Sequence, residues 1–440
     1  MPITLKRTIW PVGHGAFYTE QFIEEPSGKI LWTAVYDCGG KDESTIKNAI
    51  DDFLTDCSAR QGVSKPTIDY VFISHLHNDH INGLEYLRQN ANIKHLALPQ
   101  LTNNVVALSV IETVAKANAE QNDSNKVEIL HNIDTIKLLQ NRDFGDTHIV
   151  EVRQTEPQDE YPNNDRPNNN DEQQVFEGGE GKGVSIIDSG TKIQIAGLSA
   201  TQNARVPYWV YVPVNIYATQ PNLLQNLFGV GNLNIPLNNI MTGNNIDIDK
   251  LSQAIENIPT ATIDAAYRNV FAYQSGKAKD ANIYSMPVYS GIDTQVLLND
   301  TAIYDIYTHH DINNFFYRHL HPYPYRYWHR QFLLFKRSLC CLYMGDYRAQ
   351  VKKNMMALVN SLHHHWDMVG TQQVPHHFSS HNHNANLYND VKITFGNIDD
   401  HGDISFTHSI AQDISMRCWI PPLIVTEKSR ELEFCYVFGL

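Results

Sequence analysis

Apolar positions near the start of the chain fall in short runs or alternate with polar ones, the period of strands. RTIWPVGHGAFYTEQF and KILWTAVYDCGG read as a strand pair that ends at a glycine turn. DESTIKNAIDDFLTDCSARQG then moves to helical spacing, and TIDYVFISH returns to a strand. KHLALPQL is a further short strand and NNVVALSVIETVAKANAEQN a further helix. Strands and helices that alternate in this way predict an α/β fold.

From about Gln154 to Gly183 the pattern stops. QTEPQDEYPNNDRPNNNDEQQVFEGGEGKG is acidic and rich in Asn, Pro and Gly, so it predicts an exposed loop. Strand-like runs resume with VSIIDSG, KIQIAGLS and YWVYVPVNI. A mixed helical and aromatic-rich stretch follows, about 218–327. QFLLFKRSLCCLYMGD then predicts two strands and YRAQVKKNMMALVNSLHHHW a helix, while VKITFG, DISFTHSI and LEFCYVFGL are strand-like. The expected organisation is a core in two parts, 1–217 and 328–440, separated by an insertion at 218–327.

Composition narrows the function. Six cysteines without a C-x-x-C pair argue for buried free thiols and against a thiolate metal site. A net charge of −14 lowers the odds of extended duplex binding, which needs a basic face. No apolar run is long enough to span a bilayer. The opening MPITLKRTIWPVGHG lacks the apolar core of a secretory signal, so a cytoplasmic protein with no membrane partner is expected.

The strand ending ISHLHNDHINGL carries the densest chemistry: His75-x-His77-x-Asp79-His80. Side chains two apart on an extended backbone face the same way, so His75 and His77 can converge on one point. Asp79 and His80 follow where the chain must turn, and can face a second point. Isolated pairs mean little among 21 histidines, but four metal-capable groups at a strand end are a specific signal. Imidazole and carboxylate donors suit zinc, and manganese or iron fit the same set. Three further stretches are weaker alone: AVYDCGG with Asp37, LCCLYMGD with Asp346, and VPHHFSSHNHN with His376, His377, His381 and His383. A carboxylate at Asp346 has two oxygens with which to bridge cations.

The order VGHGAF, YDCGG, ISHLHNDHINGL, LYMGD, VPHHFSS resembles the metallo-β-lactamase superfamily, and most nearly its competence-type (ComEC-like) hydrolase domains. The resemblance covers about the first hundred residues and again Trp328 to Ser380. It implies an αββα sandwich with a two-metal site at the lip between the sheets. His75 and His77 would bind the first metal, Asp79 and His80 the second, and Asp346 would bridge them. His377 would be the second-metal histidine, with His376 the alternative. Asp37 would orient a ligand histidine by hydrogen bond. His329 stands where the family's third first-metal histidine opens a strand, with His309, His310, His319 and His321 as rivals. Three positions depart from the pattern: Ala16 where the family has Asp, Met344 before Gly345, and Phe378 for the Gly after the histidine pair.

The implied activity is hydrolysis by two-metal-activated water, with Asp79, His80 and Asp346 at its centre and two divalent metal ions, zinc by default. A phosphodiester is the leading substrate: a nucleic acid end, or a small or cyclic nucleotide. A carbon ester, lactone or amide is the alternative, as is a non-catalytic partner protein that keeps the fold. The insertion is expected beside the cleft, where its aromatic residues would choose the substrate, or it would bind a protein partner or a second copy.

Overall fold

The structure, a computed structural model, describes residues 3–155, 175–176, 181–195, 209–216, 222–275, 285–293, 339–380, 382–389, 391, 393–400, 404–418 and 421–438. In chain order its first strands and helices are β1 (Ile3–Ile9), β2 (Tyr18–Glu24), β3 (Lys29–Tyr36), α1 (Glu43–Gln61), β4 (Thr67–Phe72), α2 (Asn78–Ile81), α3 (Leu84–Asn90), β5 (Asn92–Pro99), α4 (Asn103–Ala119), α5 (Asp123–Gln140) and β6 (His148–Arg153). Then come β7 (Val175–Phe176), β8 (Gly183–Asp188), β9 (Lys192–Gln194), β10 (Trp209–Pro213), α6 (Leu223–Phe228), a small hairpin of β11 (Met241–Thr242) and β12 (Asn245–Ile246), α7 (Ile248–Glu256), α8 (Thr260–Ser275) and β13 (Val288–Ile292). The remainder is β14 (Cys341–Tyr343), α9 (Lys352–Leu362), β15 (Thr371–Gln373), β16 (Ile393–Asn397), α10 (Ile404–Cys418), β17 (Leu423–Val425) and β18 (Leu432–Phe438).

Two eight-stranded sheets result, ordered β18-β1-β2-β3-β4-β5-β6-β8 and β17-β16-β15-β14-β13-β10-β9-β7. Each has an antiparallel region and a parallel one: β3 to β8 run parallel in the first sheet, and β14 to β17 in the second. The sheets face each other across one core, in which the Tyr343 ring stacks on Tyr36 at 4.9 Å and Tyr18 at 5.8 Å. A second core packs α1, α3, α4 and α5 on the outer face of the first sheet. Helices α9 and α10 cover the second sheet. This is the expected αββα sandwich. It explains why TIDYVF is apolar almost throughout: β4 is buried on both faces, as parallel central strands are. α1 is fixed at both ends, by the Asp42 carboxylate, which accepts from Thr45 N–H, and by Gly62 in the left-handed conformation at φ 69°.

An ion pair of the first sheet faces the inter-sheet core and binds the second sheet by hydrogen bonds. Arg7 of β1 and Glu20 of β2 are both buried, with Arg7 Nε 2.8 Å and Nη2 2.7 Å from Glu20 Oε1. Glu20 also accepts from Tyr211 Oη (3.0 Å), Ser290 Oγ (2.7 Å) and Tyr343 Oη (2.9 Å), all on the second sheet. The carboxylate therefore links the sheets by donors that would otherwise be buried and unsatisfied.

Several expectations need correction. The core does not wait until residue 328 to resume, because β13 inside the expected 218–327 insertion is an inner strand of the second sheet, between β10 and β14. The described helical part of that insertion is an outer layer: Leu227, Leu251, Ile255 and Phe271 join the core built on α4. DISFTHSI belongs to a helix rather than a strand, since α10 buries Ile410, Ala411, Ile414 and Cys418 at helical spacing. Val175 and Phe176, within the expected acidic loop, pair with β9 at the edge of the second sheet. Among the described residues no helix is long and apolar enough to cross a membrane.

Replacing Glu20 by Gln leaves Arg7 a buried charge without its counter-ion. E20Q is expected to lose about 3–5 kcal/mol of unfolding free energy, the usual cost of breaking one half of a buried pair. Urea unfolding measures it, and a loss below about 1 kcal/mol would contradict the bridging role.

Candidate metal centre

The site forms where carboxyl ends of strands from both sheets meet, the usual place for ligands in α/β folds. β4 ends at Phe72, and Ser74 and His75 lead into α2, which His77 caps. The loop after β3 reaches this turn because residue 39 is glycine: a Cβ there would lie 2.2 Å from the Asp79 carbonyl carbon. Cys38 N–H then donates to His80 O at 2.9 Å, and Gly83 N–H to Cys38 O at 2.9 Å. From the second sheet, the chain after β14 passes through Gly345 at φ 50°, where a Cβ would meet Ser285 Oγ at 2.5 Å. Asp346 N–H donates to that Ser285 oxygen at 2.8 Å, which turns its carboxylate toward His75 and His80.

The histidine pair after β15 is held in an unusual backbone. His376, His377 and Phe378 have φ of 49°, 48° and 66° in succession. The left-handed region costs a non-glycine residue about 1–2 kcal/mol, so such a run persists only where its surroundings fix it. Phe378 supplies part of the anchor. Its ring is buried against Gly396 of β16, where a Cβ would lie 2.8 Å from Phe378 Cε2. The Phe378 side chain thus holds the turn by packing.

Donor atoms of Asp79, His80, Asp346 and His377 lie in a ring of close contacts, and among the described residues two triads, His75, His80 and Asp346, and His14, Asp79 and His377, each bring three donor atoms within 4.8 Å of one another. His80 Nε2 lies 3.3 Å from Asp346 Oδ1 and 3.8 Å from Asp79 Oδ2. His377 Nε2 lies 3.5 Å from Asp79 Oδ2 and 3.8 Å from Asp346 Oδ1. Donors held about 2.0–2.1 Å from a tetrahedral zinc ion would be about 3.4 Å apart. His80 Nε2, His377 Nε2 and Asp346 Oδ1 are buried and find no hydrogen-bond partner among the described residues. Buried polar atoms are rarely left so, and three of them around one point fit a cation. Both rings are aimed from behind: His80 Nδ1 is 2.8 Å from Asp37 Oδ2, and His377 Nδ1 is 3.0 Å from Asn397 O. Asp37 thus stands in the orienting role, itself held by Ser74 Oγ at 2.8 Å.

A second point lies on the other side of Asp346. His75 Nε2 is 3.7 Å from Asp346 Oδ2 and 2.9 Å from His77 Nδ1. His376 Nε2 is 3.4 Å from the same Oδ2. His77 turns its other nitrogen to Glu112 of α4, which accepts from Nε2. A carboxylate behind a ligand imidazole fixes its tautomer and strengthens it as a donor.

His75, His77, Asp79, His80, Asp346 and His377 therefore gather at one site, although 266 positions separate His80 from Asp346. Both candidates for the last histidine, His376 and His377, are present, on different oxygens of Asp346. His329, His309, His310, His319, His321 and His381 lie outside the described residues. His383 instead faces α10, 2.7 Å from Asp413. The sequence reading missed two contributors. His14, the middle residue of Gly-x-Gly in VGHGAF, is half-exposed, stacks on the His377 ring at 4.0 Å and lies 3.7 Å from Asp79 Oδ2. Glu112 gave no signal, since helical spacing shows that it sits among apolar neighbours but not which ring it meets. A separate group of Asp293, His364 and His365 lies at the other end of β13, and its carboxylate already holds Lys192 at 3.1 Å.

A comparison with family models agrees with this geometry. Residues 33–102 match the metallo-beta-lactamase superfamily. The match runs from β3 through β5 and contains the whole His75–His80 cluster. That superfamily consists mostly of metal-dependent hydrolases, and the two-sheet sandwich found here is consistent with its fold. Among curated proteins no match is found.

The charges balance only with a cation or with protons. Burial and the neighbouring His80 and His77 rings push the His75 pKa well below its usual value. Burial opposes charge on His80 too, but Asp37, Asp346 and Asp79 outweigh it and raise that pKa well above normal. A proton on His80 would therefore compete with a metal ion for the ring and leave as the ion binds. Zinc binding at pH 7 is expected to release protons and to tighten as pH rises. Calorimetric titrations in buffers of different ionisation enthalpy measure this, and identical heats across buffers would contradict it.

Proposed function

We propose that the protein is a hydrolase that uses two divalent metal ions and acts on phosphodiesters. The carrying observation is the trio of buried donors, His80 Nε2, His377 Nε2 and Asp346 Oδ1, with the carboxylate oxygen 3.3 Å and 3.8 Å from the two nitrogens. Asp79, His80 and His377 would hold the second ion and His75 and His77 the first, with Asp346 between them. The all-nitrogen-and-oxygen set favours zinc, and manganese or iron would also fit. Bound metals of this kind acidify water and offset negative charge that gathers on a phosphoryl or carbonyl oxygen.

The chain's own groups supply the rest. Asp346 sets the separation of the two positions through its paired oxygens. Asp37 and Glu112 keep the His80 and His77 rings from turning. Asp79 is partly exposed at the mouth, where its carboxylate can also hold the attacking water. Water would attack phosphorus, the bond to the leaving oxygen would break, and a phosphomonoester and a hydroxyl would result.

The phosphodiester preference draws on the mouth and on the order of motifs, which most resembles competence-type domains. The exposed groups around Asp79 are hydrogen-bond donors rather than apolar: His14, and Lys116 on α4, which is near enough to help lower the Asp79 pKa. Burial works against that lowering and is outweighed by His80 and His377 together with Lys116. Such donors match phosphoryl oxygens better than an acyl chain. With −14 net charge, a short or small substrate suits the protein better than a long duplex.

A chelator should abolish cleavage of p-nitrophenyl phosphodiesters, cyclic nucleotides or short single-stranded DNA, and added zinc or manganese should restore it. Asp346→Asn should lower turnover by about a thousandfold or more while the fold survives, because its interaction is needed in the transition state. Ready cleavage of a lactone or carbon ester, with no phosphodiester cleaved, would refute the substrate assignment.

A further inference from the structure

We propose that His376 is a ligand of the first metal, so that the adjacent residues His376 and His377 serve one ion each. The first site is then complete without a histidine from the strand before Gly345-Asp346. This rests on the two-metal reading above and assigns a residue that the reading leaves open.

The division of Asp346 is the first observation. Its Oδ1 faces His80 at 3.3 Å and His377 at 3.8 Å, and its Oδ2 faces His75 at 3.7 Å and His376 at 3.4 Å. By nearest oxygen the four rings divide two and two, although His75, His80 and a single Asp346 oxygen also lie within 4.8 Å of one another. With His376 the first position has four protein donors, His75, His77, His376 and Asp346, one more than the three that a catalytic zinc usually takes beside its water.

The second observation fixes which nitrogen of His376 faces the site. Asn382 donates through Nδ2 to Asp346 O at 2.5 Å and to Tyr347 O at 3.3 Å. Its amide can therefore point only one way, with Oδ1 toward His376 Nδ1 at 3.0 Å. His376 Nδ1–H donates to that oxygen, which leaves Nε2 as the atom directed at Asp346 Oδ2. His376 Nε2 lies 3.4 Å from that carboxylate oxygen, near the spacing of two donors on one ion, while a proton there would make an ion pair instead. Asn382 thus does for His376 what Asp37 does for His80 and Asn397 for His377.

The third observation is the strained turn. In an extended chain, neighbouring side chains point to opposite faces, and two successive residues would not both reach one carboxylate. The left-handed run from His376 to Phe378 brings both rings to Asp346, with centroids 6.2 Å apart and planes at 68°. A turn built for one ligand would need no such strain at the preceding residue.

Metal content per chain decides the matter, measured by inductively coupled plasma mass spectrometry after reconstitution with zinc and desalting. The variants are His376→Asn and His376→Gly, since Asn and Gly are the residues most at ease at positive φ and keep the turn. Circular dichroism checks that each is folded. Wild type and His329→Ala should hold about two zinc ions, and the His376 variants and His377→Asn about one. Cobalt(II) spectra of His376→Asn and His377→Asn should differ, because a different site remains in each. A His376 variant that keeps two ions, or loss of one in His329→Ala, would overturn the assignment and leave the two-metal reading intact. Fewer than two ions in wild type would overturn both.

Discussion

The structure turns on a buried carboxylate that cannot stand alone. Asp346 is inside the protein, at the end of a strand of the second sheet, and four imidazole nitrogens face its two oxygens. Ionised groups are very costly to bury without compensation, and aromatic nitrogens with lone pairs turned inward offer none by themselves. Protons can balance the charge in part, but a divalent cation on each side balances it with all the donors used. The strained histidine turn, the glycines that let loops pass within contact of Asp79 and Ser285, and the orienting residues Asp37, Glu112, Asn382 and Asn397 all make sense as means of holding that arrangement.

The second dependence is between sheets. The first sheet supplies His75 to His80 and the second supplies Asp346 and the histidine pair, so the site exists only if the sheets keep their relative position. Glu20, paired with Arg7 on the first sheet, accepts from donors on β10, β13 and β14 across the core between them. The hydrogen bonds from Tyr36 Oη to Met286 O (3.0 Å) and from Met286 N–H to Ser74 O (2.9 Å) tie the sheets again close to the histidine and aspartate cluster. The outer layer is connected too, since α4 presents Glu112 to His77 while α6, α7 and α8 pack on its other side.

Much of this was legible in the sequence, for identifiable reasons. A strand that is buried on both faces has to be written as an apolar run, and side chains two apart on an extended chain face one way, so β4 and the His75, His77 pair could be read directly, while the two-sheet sandwich followed from the order of motifs. Asp346 was readable as a strand-end carboxylate, but only the order of motifs pointed to its partners. The rest depends on contacts that leave no local trace. β13 is five residues in a stretch of mixed composition, and its place between β10 and β14 is decided by long-range pairing. Glu112 looks like any helix residue until the fold brings α4 against His77. DISFTHSI alternates well enough for a strand, and only the core it shares with Ile414 and Cys418 makes it a helix. His14 was visible as the centre of a glycine turn, but its role needs the His377 ring that it stacks upon.

The most direct test of the central claim is a crystal of the zinc-reconstituted protein with anomalous differences recorded at the zinc edge. Two peaks are expected, one on each side of Asp346: the first within coordination distance of Oδ1, Asp79, His80 and His377, and the second of Oδ2, His75 and His77. A map with no peak at Asp346, or with its strongest peak elsewhere in the molecule, would contradict the account.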